Sequence, residues 1–136
     1  MQRIFLRVKG IIKKEDRYLV LKRWMDDRIP DPFVWEFVDG EVAFSEAPDD
    51  AMHRCISEML GVDGRIERIA YTWSQMLGDT QCIGIAYICC LDEADENISL
   101  PEEFGGFEWI TEQEIPYYIE NSYVLKDLEK AKMIDR

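Results

Sequence analysis

Residues 40–62 read GEVAFSEAPDDAMHRCISEMLGV, and the second half of that stretch is a helix with both ends marked. Pro48 suits a first helical turn, where its missing N–H is one the helix does not use. Asp49 and Asp50 put negative charge at the positive end of the helix dipole. Gly61 stands where a left-handed residue closes a helix. The spacing therefore predicts a helix over 48–60. At about 100° per residue, Ala51, Cys55, Met59, Met52, Ile56 and Leu60 fall in order around one half of the cylinder, as a core-facing side. Asp50, Arg54 and Glu58 run at i, i+4, i+8 along the edge of that side, an ordinary ladder of ion pairs. Ala47, at the cap position, offers no side-chain oxygen to the first turn.

Working outward, residues 3–12 and 17–24 are rich in β-branched and aromatic side chains and flank the polar break Lys13-Lys14-Glu15-Asp16, a hairpin pattern. MDDRIPDPFV at 25–34 reads as a loop, and WEFVDGEV at 35–42 as a short strand running into a glycine turn. Beyond the helix, strands near 65–73 and 81–91 flank a turn at Gly78-Asp79. The second is apolar on both faces and so belongs in the middle of a sheet. Its Cys82, Gly84 and Ala86 face is small, which permits close packing or leaves room for a ligand. An acidic loop covers 92–103, and FGGFEWI makes a last strand with Gly105-Gly106 as a bulge signal. Thr111-x-x-Glu114 is a capping-box pattern, and Pro116 keeps that helix short or kinked. A final amphipathic helix gathers Val124, Leu125, Leu128 and Ala131 on one face. Strands, a helix, more strands and a terminal helix predict one α/β (α+β) domain over 1–136, built as a sandwich.

The 136 residues carry a formal net charge of −12, and 47 % are apolar, enough for a packed core. No apolar run is long enough to span a bilayer, and the first residues lack the pattern of a secretory signal. The expectation is a cytoplasmic domain that engages no membrane. The acidic balance opposes binding to duplex nucleic acid. Residues 1–28 nevertheless hold nine basic and four acidic groups, a local patch that attracts phosphate or protects an edge strand. Cys55, Cys82, Cys89 and Cys90 form no C-x-x-C pair, and the lone His53 is not spaced to complete a zinc site with them. They read as buried, reduced thiols.

From Gly40 to Val62 the chain resembles the Nudix box, a Gly, five residues, a Glu, seven residues, then R-E-U-x-E-E-x-G-U with U a bulky aliphatic. Gly40, Glu46, Arg54, Ile56, Glu58, Gly61 and Val62 fall on its positions at the correct spacing. Trp35-Glu36-Phe37 before the box and Phe107-Glu108-Trp109-Ile110 near the end also match the family, so the resemblance covers essentially the whole chain. It implies a three-layer α/β/α sandwich with a mixed central sheet. It also implies Mg²⁺- or Mn²⁺-dependent hydrolysis of a nucleoside diphosphate linked to another group. A diphosphate leaving group carries charge that metal ions neutralise. Hard divalent ions take oxygen ligands, and carboxylates at i, i+3 and i+4 supply them from one helical face.

This chain departs from that pattern at the ligands. Of the three box carboxylates only Glu58 remains; the other two positions are Cys55 and Met59, which supply no hard oxygen. Val38-Asp39-Gly40 replaces the usual P-G-G, so Asp39 offers its backbone carbonyl without glycine's conformational freedom. The resemblance makes Glu46, Arg54 and Glu58 the catalytic candidates, and Glu58, Asp39 and Glu103 the metal candidates. Glu46 and Arg54 pair structurally in the alternative reading, and Glu103 is then a solvated charge of the acidic loop. Trp24, Phe33 and Trp35 are candidates for stacking a nucleobase, or else packing residues; Arg23, with Lys22, is a candidate for phosphate. The expected function is a divergent hydrolase of nucleoside-diphosphate-linked compounds with weak metal-dependent activity. A catalytically silent module that binds a nucleotide-like ligand or a protein partner is the alternative. The N-terminal strand is a candidate edge for a homodimer.

Overall fold

The structure, a computed structural model, describes residues 2–30, 32–92 and 94–135. Seven strands form one mixed sheet: β1 (Arg3–Lys14), β2 (Arg17–Trp24), β3 (Phe33–Glu36), β4 (Val38–Glu41), β5 (Gly64–Leu77), β6 (Thr80–Leu91) and β7 (Phe104–Thr111). Helix α1 (Pro48–Leu60) packs on one face, and the short α2 (Ile115–Tyr118) and α3 (Ser122–Lys130) on the other. This is the expected α/β/α sandwich.

β1 is the axis of the sheet, with β6 along one side and β4 and β2 along the other, so the N-terminal strand is not the free edge that the sequence suggested for a homodimer. It runs parallel to β6 from the Arg3–Thr80 pair to the Ile12–Cys89 pair, and β6 continues antiparallel into β5. Alternation along β1 sends Val8 and Ile12 toward α1, and Ile11 toward α3. β6 divides in the same way, with Tyr87 and Cys89 under α1, and Ala86 and Ile88 under α3. α1 buries Ala51, Met52, Cys55, Ile56 and Leu60, and each large side chain among them contributes about 1.5–3 kcal/mol by leaving water. Pro48 opens the helix and Gly61, at φ 68°, closes it with its N–H on the Ser57 carbonyl.

Several expectations are corrected in detail. The hairpin of β1 and β2 is only a corner: the strands meet at Lys13–Tyr18 and Lys14–Arg17, after which β2 leaves to pair with β3 and β7. Glu15 makes that corner with φ 57°. The single strand expected over 35–42 is two. β3 pairs with β2 and β4 with β1, and the chain changes partner at Phe37, which is buried in the α3-side core while Val38 joins the α1-side core. β5 runs longer than expected, with register shifts between Ile66 and Arg68 and between Ile69 and Tyr71. Such bulges break the alternation on which a sequence pattern depends. The bulge at Gly105 is present: Lys22 pairs with Gly106 and Arg23 with Phe104, leaving Gly105 as the extra residue. Thr111 and Glu114 form their hydrogen bonds over a single 3-10 turn at 112–114 that leads into α2. Three of the four thiols are buried, whereas Cys90 is half-buried beside Arg65 and Glu67 near the outer end of β6.

Candidate functional site

The box folds around Arg54. Its Nε donates to Glu46 Oε2 at 2.8 Å and its Nη2 to Glu46 Oε1 at 3.0 Å. Nη2 also donates to the Glu41 carbonyl at 2.7 Å, and Nη1 to Glu58 Oε2 at 3.2 Å. Glu46 Oε1 accepts the Ala43 N–H at 2.9 Å, so the loop between β4 and α1 is tied to the helix through one guanidinium. The forked contact with Arg54 lowers the Glu46 carboxyl from 4.5 to about 2, and the Ala43 N–H adds to it. Glu58 is mostly exposed, with Arg54 as its ion-pair partner.

Cys55 lies between these groups and the sheet. It is 4 % exposed, and its Sγ occupies the space that a side chain on Gly40 would need. Burial pushes its thiol up. Met59 packs against the α1-side core. Asp39, Gly40, Arg54, Cys55, Glu58 and Met59 line a hollow of about 430 Å³.

A second cavity, of about 410 Å³, opens on the other side of β4, between the sheet and α3. Asp39 lines both spaces, so the cavity reaches the box. Its floor is made by β1, β6 and β5, with Lys9, Cys82 and Trp73 among its residues. Trp73 lies across Gly84, its register partner, where no larger residue would fit, so the small face of β6 is filled by an indole. Lys9 Nζ sits 4.8 Å from the Trp73 ring centroid. Arg7 reaches Asp39 at 3.5 Å, and Asp127 projects from α3. Lys9 is 8 % exposed; burial lowers its ammonium's pKa, opposed by Asp39 and Asp127.

The structure brings Glu46, Arg54, Glu58 and Asp39 to the box. Trp35 lines the cavity and stands edge-on to Tyr118 with ring centroids 5.0 Å apart. Arg23 holds Glu36, another cavity residue, with its Nε 2.8 Å from Oε1. Trp24 and Phe33 pack edge to face at 5.4 Å outside the cavity. Phe33 and Trp35 also line a smaller recess with Lys22 and Tyr118. Glu103 is exposed; its carbonyl accepts the Trp24 N–H at 2.8 Å, and it is absent from the lining of the box hollow. Sequence reasoning missed Lys9, Trp73 and Asp127 as a group. The available signal was Lys9 itself, a charge on the inward alternation of an apolar strand.

The residues of the box do not fit a hard divalent ion. Glu58 is the one carboxylate left on the ligand face, and its neighbours there are a buried thiol with a raised pKa and a thioether. Among the described residues, no three His, Cys, Asp or Glu side chains assemble into a group that could hold a metal ion. No helix among them is long and apolar enough to cross a membrane.

Comparison with known proteins agrees with this architecture. The NUDIX domain model matches residues 5–128, and the chain belongs to that family of hydrolases. No curated protein matches it. Among solved structures, the MutT protein of Methanosarcina mazei Go1 superposes with a TM-score of 0.78 at 18 % identity, over 96 % of this chain and 94 % of that one. A NUDIX hydrolase from Nitrosomonas europaea gives 0.77 at 15 % identity, over 96 % and 89 %. An ADP-ribose pyrophosphatase from Streptococcus suis gives 0.67 at 14 %, over 93 % and 88 %. At these identities the likeness is one of fold.

Proposed function

We propose that the protein binds a nucleoside-diphosphate-type compound in the cavity between the sheet and α3. Its hydrolysis of that compound is far slower than that of a box with three carboxylates. The observation that carries this reading is the position of Asp39, which lines both the cavity and the box hollow, so a ligand seated in one presents its linkage to the other. The cavity has the composition such a ligand needs: aromatic walls at Trp35 and Trp73 and polar groups at Lys9, Asn121 and Asp127. The similarity to an ADP-ribose pyrophosphatase is consistent with the ligand class. The slow hydrolysis follows from Cys55 and Met59, which leave Glu58 alone on the ligand face and paired to Arg54.

A silent binding module is the second reading, and the absence of a three-ligand group among the described residues favours it. One experiment separates the two. The melting temperature is recorded with nucleoside diphosphates, dinucleoside polyphosphates, ADP-ribose and sugar nucleotides, and product release is followed in the same samples with Mg²⁺ and Mn²⁺. A ligand-dependent rise in melting temperature supports the binding reading. Slow release that is lost in Glu58→Gln supports residual hydrolysis, and binding without release supports the silent module. No shift with any compound would overturn the nucleotide reading.

A further inference from the structure

We infer that two copies of this chain pair through the outer edge of β5, antiparallel about a twofold axis at Ser74, so that one sheet runs through both. The pairing is independent of the nucleotide reading above. Among the described residues, β5 pairs with β6 alone, and it lies at the end of the strand order. Its other side therefore presents unpaired backbone N–H and C=O groups along a strand of 14 residues. Such an edge is a template for a further strand.

The edge is guarded over only half its length. Its first half carries Arg65, Glu67 and Arg68 together with both register shifts, the devices that keep a foreign strand away. β7, another long edge, carries Glu108 and the bulge at Gly105. Residues 71–77 have neither protection. Their sequence, YTWSQML, contains no charge and no proline, and the register with β6 runs unbroken from Tyr71 to Leu77. Met76 and Leu77 at its end are 60 % and 61 % exposed.

A second copy is the occupant that the charges favour. Two chains of net charge −12 repel one another, and an uncharged edge is where they approach at least cost. A twofold axis makes the contact self-complementary. Centred on Ser74, the middle of the uncharged run, it sets Thr72 opposite the partner's Met76 and Trp73 opposite the partner's Gln75, each pair on one face. The same register carries Arg68, before the run, toward the partner's Asp79, after it, so opposite charges approach at both ends. Trp73, Gln75 and Leu77 also line the cavity between the sheet and α3, so the partner's strand borders that cavity.

The test is sedimentation equilibrium of the full chain, from micromolar to millimolar concentration, on the wild type, Ser74→Lys, Ser74→Glu and an equal mixture of the two variants. Ser74 is exposed, and its hydroxyl accepts one side-chain hydrogen bond, from Gln81 at 2.9 Å, so either substitution removes little. A circular-dichroism melt checks that each variant is folded. The wild type is expected to reach the mass of two chains. Each variant alone sets like charges face to face at the axis and is expected to dimerise at least about tenfold more weakly. The mixture is expected to recover a dimer holding one chain of each. A wild type that stays monomeric throughout would overturn the inference and leave the edge to some other strand. A dimer that both variants keep, or that the mixture fails to restore, would overturn it as well. Hydrogen exchange on the wild type decides the matter even where a variant fails to fold. Slower exchange within residues 71–77 at high concentration than at low supports the pairing, and concentration-dependent protection confined to other strands would overturn it.

Discussion

Gly40 and Cys55 are in direct contact, with the Cys55 Sγ standing where a Cβ on residue 40 would project. That contact fixes how closely β4 lies on α1. It also means that the residue standing at a carboxylate position of the Nudix box here belongs to the core. Gly40→Ala is expected to destabilise the fold by about 1–3 kcal/mol through overpacking, read as a lower urea midpoint with an unchanged m-value.

The buried thiols should be unreactive. Burial pushes Cys89 up to about 12 and Cys55 above the usual thiol range, and Cys55, Cys82 and Cys89 are all buried. A thiol-specific disulfide reagent at neutral pH is therefore expected to modify Cys90 ahead of the other three in the native chain, though more slowly than a free thiol because burial and the neighbouring Glu67 push it up too. All four react after denaturation. Rapid native modification of two or more thiols, or none in Cys90, would contradict the packing described.

Acid should loosen the box through Glu46. Its folded pKa lies near 2 against an ordinary 4.5 because Arg54 and the Ala43 N–H favour the charged form. A depressed carboxyl contributes stability above its unfolded pKa and loses it as the pH falls through the folded one. Glu46→Gln is expected to flatten the decline in melting temperature between pH 4.5 and about 2, measured beside the wild type in one buffer series.

Arg23 should matter through Glu36. Burial raises the Glu36 carboxyl, and the Arg23 hydrogen bond opposes that rise. Arg23→Met leaves a half-buried carboxylate without its partner, at an expected cost of about 1–2 kcal/mol. The double variant with Glu36→Gln should recover much of that loss. If the two effects simply add, the pair is not coupled.

Most of the fold was legible because the signals that decide it are local. Pro48, the paired aspartates and Gly61 bound α1, and the doubly apolar run of β6 put that strand inside the sheet. What escaped was partner choice. Nothing local at Phe37 says that one extended segment serves two strands, and nothing at Lys14 says that a hairpin opens into a corner. The box residues were legible from spacing, since one helix and its preceding loop carry them. The cavity was not, because Lys9, Trp73 and Asp127 come from β1, β5 and α3 and meet only through the sheet register and the packing of α3 on the sheet.

If Cys55 and Met59 limit hydrolysis while ligand binding persists, restoring the two carboxylates raises the rate and leaves the affinity alone. The most direct measurement is the initial rate of product release from the tightest-binding nucleoside-diphosphate compound with Mg²⁺ and with Mn²⁺. The wild type and the Cys55→Glu/Met59→Glu variant are compared side by side. Slow release by the wild type is expected, and a rate at least about a hundredfold higher in the variant, where a metal is given its oxygen ligands, with similar ligand affinity in both. Wild-type turnover of about 1 s⁻¹ or more, unimproved by the added carboxylates, would contradict that expectation.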